Sequence, residues 1–183
     1  FMPVFVISLL SQFVYQPVIS KMALLWHEKK ISQFNKLILR QIALILLLSV
    51  AAIIGGYLLG IPVLSLIYGV DLTDYKKSLV ILLIGGGALA IVNFLQMIIT
   101  VARKQKLLNI GYLLAFLLFV FGGKTITEKH GMIGISVFYT AVVMILGAVF
   151  IVLTIGIIKG YANSDGKTVA EKKRKEYEAH KIE

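Results

Sequence analysis

Gln12 and Gln16 stand one helical turn apart, with Tyr15 beside them and Pro17 directly after. Asn93 and Gln96, three residues apart, share one face of a later helix. Each carboxamide carries both N–H donors and a carbonyl acceptor, the combination that meets a sugar hydroxyl from either side. All five residues lie in stretches with no charged side chain, where an unpartnered amide costs free energy. These faces must therefore turn toward protein or toward a wet cavity. Hydrogen bonds between helices are the plainer outcome, and the lining of a hydrophilic substrate cavity is the functional one.

Catalytic chemistry has no comparable foothold. The same stretches hold no carboxylate, so they offer no membrane-embedded proton relay. No His-Glu-x-x-His, paired acids or Ser/His/Asp cluster occurs. His27, His130 and His180 are isolated from one another, and the absence of cysteine rules out disulfides and thiolate metal sites. Gly85-Gly86-Gly87 lacks the Lys-Ser/Thr of a phosphate loop. The expectation is a protein that is not an enzyme and needs no cofactor.

The elements that position the amides follow from composition. The chain has 183 residues, 58% of them hydrophobic and 15% charged, with a mean hydropathy of +0.90. The windows 1–20, 41–60, 78–101, 107–123 and 131–158 contain no Asp, Glu, Lys or Arg. A soluble helix bundle needs charges on its outer faces. Charge-free windows of this length instead match the ~30 Å hydrocarbon core that a helix must cross. Lipid demands that backbone groups pair internally, which favours helices, and period-2 alternation of a barrel is absent. The fold expected is an all-α polytopic membrane protein of five transmembrane helices.

Basic residues orient it. The connections 21–40 and 102–106 and the tail 159–183 share 15 Lys and Arg, while the opposite loops 61–77 and 124–130 share only four. The positive-inside rule puts the rich side, with the C-terminus, in the cytoplasm. Net charge +10 is thus explained by topology rather than by nucleic acid. Lys21, Arg40 and Arg103 then flank the cytoplasmic mouth. Residues 1–20 lack the features of a signal peptide, and a start at Phe1 fits a segment of a larger membrane domain.

The connections carry their own signals. Met22, Leu25, Ile31, Phe34 and Ile38 form an apolar stripe interrupted by lysines, expected as a helix along the cytoplasmic interface, with Trp26 at headgroup depth, or as an extension packed on neighbouring helices. Pro62 is expected to end or kink the second span, leaving a short helix before Gly69 at a positive φ and Asp71 and Asp74 in water. Residues 102–106 make a tight hairpin turn. Gly56 and Gly60, Gly156 and Gly160, and the Gly85–Gly87 triplet allow close helix packing or a flexible cavity wall. The tail from Asn163, with Lys and Glu spaced four apart, reads as a solvated helix, and Lys172 to Lys175 can touch anionic lipid.

Several runs together resemble a known family. Phe13-Val-Tyr-Gln-Pro17, Phe34-Asn-Lys-Leu37 and Gly60-Ile-Pro-Val-Leu-Ser-Leu-Ile-Tyr-Gly69 followed by Tyr75-Lys-Lys are similar to the polysaccharide-transport branch of the MATE-like flippases. Ala102-Arg-Lys-Gln-Lys106 and Gly131-Met-Ile-Gly134 fit the same pattern, so the resemblance covers most of residues 1–160. It implies a two-bundle transporter of the bacterial plasma membrane, of which these spans would be the final five helices and the first bundle a missing partner. The implied substrate is a lipid-linked oligosaccharide on undecaprenyl pyrophosphate, carried from the inner to the outer leaflet by alternating access. The family's cavity cations have no counterpart within these spans, so any cationic contact would fall to the missing bundle or to Lys21, Arg40 and Arg103. The alternatives are a drug or metabolite antiporter of the same superfamily, for which an acidic cavity residue is wanting, and a non-transport membrane scaffold.

Overall fold

A computed structural model describes residues 2–69 and 76–179, and among them every regular element is helical. Helix α1 spans Met2–Tyr15, a 3-10 turn covers Gln16–Val18, and α2 runs Ile19–His27. Then come α3 at Ile31–Tyr68, α4 at Lys76–Val101 and α5 at Lys106–Ala179. Gly131, at φ 56° and ψ −142°, breaks α5 into two arms. That backbone conformation is open essentially to glycine alone.

Among the described residues, four stretches are long and apolar enough to cross a membrane: Ile31–Val63, Lys76–Val101, Lys106–Gly123 and Ile133–Gly160. They coincide with four of the five windows expected. The remaining window, 1–20, is divided. Proline lacks an N–H and its ring crowds the carbonyl one turn back, so Pro17 converts the helix to a 3-10 turn. The 14 residues of α1 reach only about 21 Å at 1.5 Å per residue.

The bundle is organised around α4. Of its most apolar window 56% is buried, against 11% for α3 and for the first arm of α5. Close approaches fix the directions. A Cβ on Gly60 would lie 2.8 Å from Leu79, and one on Gly56 would collide with Leu83, so α3 and α4 run antiparallel. The glycine triplet serves the same packing: a Cβ on Gly85 would lie 2.8 Å from Thr140 Oγ1, and one on Gly87 2.9 Å from Ser49 Cβ. Thr140 also donates its hydroxyl to the Ile81 carbonyl at 3.1 Å. Gly85 meets Thr140 and Val92 meets Gly147, so the second arm of α5 is parallel to α4. The two arms of α5 fold antiparallel, with Gly111 against Phe150 and Gly122 against Phe138.

The outward faces are apolar. Leu39, Leu47, Leu58, Leu59 and Leu66 on α3, and Phe116 and Phe121 on α5, are each more than half exposed. A surface of that kind is an aggregation liability in water and ordinary in lipid. The apolar helices mark the chain as membrane-embedded.

Two connections differ from expectation, and a third takes the second of its two expected forms. The stripe of residues 20–39 packs on neighbouring helices, the second of the two forms expected: Met22 and Phe34 are fully buried, Leu25 and Ile38 nearly so, and the Trp26 ring meets that of Phe34 at a tilt, 5.2 Å between centroids. The helix does not end at Pro62. It continues to Tyr68, because a proline deep in an apolar segment forfeits one hydrogen bond while breaking the helix would expose several groups to lipid. It stops at Gly69, whose φ of 67° matches the expectation. Finally, the loop expected at 124–130 has helical backbone, and the reversal is concentrated at Gly131. Asp71, Asp74 and the side chains of the tail from residue 161 lie outside the described residues.

Candidate functional site

Ser8 and Asn93 join the N-terminal helix to the central one. Asn93 Nδ2 donates to Ser8 Oγ at 2.8 Å. One turn further along α4, the Gln96 carbonyl oxygen accepts the Tyr112 hydroxyl at 2.5 Å, which ties α4 to the first arm of α5. Thr100 returns its hydroxyl to the Gln96 backbone carbonyl at 2.9 Å. Spacing of three and four along α4 thus places Asn93, Gln96 and Thr100 on one polar stripe within an otherwise apolar helix.

That stripe faces α1 across an open cavity of about 400 Å³, lined by Gln12, Tyr15, Ile19, Asn93, Gln96, Met97, Thr100 and Val101. Its size falls in the range of small-molecule sites, roughly 300–1,000 Å³. Tyr15 is buried, with its ring 5.6 Å from that of Phe94, and forms the firm wall. The two interhelical bonds engage Nδ2 of Asn93 and Oε1 of Gln96, so an acceptor on one amide and a donor on the other are left for the cavity. Gln12, partly buried, adds a third amide. Asn93 and Gln96 thus both lock helices together and line this hollow.

Four of the five cavity residues named from the sequence converge here. Gln16 does not. It sits exposed at the start of the 3-10 turn, where the tighter winding rotates it off the face of Gln12. Ser8, Thr100 and Tyr112 were missed, because hydroxyls in apolar helices ordinarily bond their own backbone and spacing alone does not single them out. Gln41 was missed too: it is 4% exposed, and its Oε1 has no hydrogen-bond partner among the described residues.

Of the three mouth cations, Arg103 lines a second cavity of about 1140 Å³ with Lys104, Lys106 and Trp26. Lys21 and Arg40 are exposed and do not line it. Among the described residues no group of His, Asp and Glu is arranged to hold a metal ion. No protein-family model, curated protein or solved structure matches the chain.

Proposed function

We propose that this chain forms part of a flippase that moves a lipid-linked oligosaccharide between leaflets. Hydroxyl-rich sugars and a charged pyrophosphate cannot enter hydrocarbon without a polar path. Three amides around an open hollow between apolar helices supply donors and acceptors for such a path, and this is the observation that carries the reading. In the proposed cycle, rocking of this bundle against a partner bundle exposes the cavity to each side in turn, while the lipid tail stays in the bilayer. The basic end of the bundle, where Trp26, the Arg103 turn and Gly160 meet, is the proposed cytoplasmic end.

Gln12 tests the reading cleanly, since among the described residues no hydrogen bond ties it to another helix. In the intact transporter reconstituted in vesicles with a fluorescent lipid-linked oligosaccharide, Gln12→Leu is expected to slow transfer about tenfold. That is the weight of one hydrogen bond to a passing hydroxyl. Transfer at the unsubstituted rate would refute the role of the cavity.

A further inference from the structure

The larger cavity sits at the end of the bundle where the basic connections converge. Its rim is Arg103, Lys104, Gln105 and Lys106, and among the described residues no acidic side chain lines it. The ion pair nearest in sequence to Trp26 joins Glu28 to Lys30 at 2.7 Å, and among the described residues no acidic group pairs with the three rim cations. Below the rim the walls are apolar: Trp26, Leu107, Val152, Leu153 and Ile157. Gly156 and Gly160 complete the floor, and a Cβ built on either meets nothing within 4 Å. These two glycines, spaced like the packed pair Gly56 and Gly60, hold open space instead of a neighbouring helix.

The turn itself is held at a cost. Arg103 has φ 57°, its N–H bonds the Thr100 carbonyl at 2.9 Å, and the Lys104 N–H reaches the Ile99 carbonyl at 3.1 Å. This is a Schellman cap, whose left-handed position ordinarily falls to glycine. An arginine there accepts strain and keeps a guanidinium on the rim.

We infer that this cavity is a binding site for an anionic phospholipid. Its phosphate is held by Arg103, Lys104 and Lys106, and an acyl chain lies in the slot beside Gly156 and Ile157. Cations above and an apolar slot beneath match the two halves of such a lipid, at the depth where apolar helices give way to headgroups. The inference rests on membrane embedding and not on the transport reading.

Trp26 is the chain's single tryptophan and lies in the cavity wall, so its fluorescence reports occupancy directly. The full chain is reconstituted in vesicles carrying either brominated phosphatidylglycerol or brominated phosphatidylcholine. The anionic lipid is expected to quench Trp26 at a roughly tenfold lower mole fraction. Arg103→Gln, Lys104→Gln and Lys106→Gln together are expected to merge the two quenching curves while helical circular dichroism stays unchanged. Lys21→Gln, Lys36→Gln and Arg40→Gln together remove equal charge from exposed positions outside the cavity and are expected to preserve the preference. Equal quenching by both lipids, or equal loss in both triple variants, would overturn the site. Preference surviving millimolar inorganic phosphate is expected. If free phosphate erased it, the ligand would be soluble phosphate and the lipid assignment would fall.

Discussion

Asn93 carries two duties that substitution can separate. Asn93→Ala deletes the bond to Ser8 and is expected to weaken the packing of α1 on α4 by about 1 kcal/mol, the scale of an interhelical hydrogen bond in a membrane bundle. Denaturant titration in micelles measures it. Gln96→Ala and Tyr112→Phe remove opposite ends of one bond, so their combined effect should fall short of their sum, which a double-mutant cycle reads. The amides of this cluster were legible in the sequence because a charge-free window makes any carboxamide conspicuous and a spacing of three fixes its face. Their hydroxyl partners were not. Ser8 is 85 residues from Asn93, and no local pattern announces a contact over that separation. Gln16 was misplaced because a spacing of four assigns a shared face only along an unbroken α-helix, and Pro17 breaks this one.

Glycine pairs of identical spacing behave differently at the level of helices. A methyl on Gly111 would collide with Phe150, whose side chain is fully buried and cannot move aside. Gly111→Ala is therefore expected to destabilise the α5 hairpin by about 1–3 kcal/mol. Gly156→Ala enters open space, and the better helix propensity of alanine should leave stability unchanged or slightly raised in the same unfolding assay. Spacing predicts that small residues share a face, and only the tertiary arrangement decides which face is occupied. Both basic turns hold a second lesson. Lys29 at φ 60° repeats the cap of Arg103, with the Lys30 N–H on the Leu25 carbonyl at 3.0 Å. Lys29→Gly should stabilise the chain by about 1 kcal/mol in thermal unfolding, since glycine carries no penalty there. Neither cap was visible beforehand, because the customary signal is a glycine or asparagine. Gly69 carried that signal and obeyed it.

The membrane character of the whole chain was the most legible feature, because charge is confined to the connections and no packing detail is needed to see it. Trp26 of α2, the 102–106 turn and Gly160 of α5 meet at one end of the bundle. What composition does not contain is the central place of α4, which follows from glycine contacts on two of its faces. The proposed orientation predicts that Gln105→Cys, on the exposed basic turn, is labelled by an impermeant thiol reagent only from the cytoplasmic side. A chain without native cysteine makes such labelling unambiguous. The proposed path needs a water-accessible cavity beside lipid-facing helices, and thiol reactivity tests both features together. Single cysteines at Gln12, in the cavity, and at Leu47 and Phe116, on the outer apolar faces, are exposed to a hydrophilic thiol reagent in native membranes. The prediction is rapid modification at position 12 and none at positions 47 and 116. Equal reaction at all three, or a reactive 47 beside an inert 12, would contradict it.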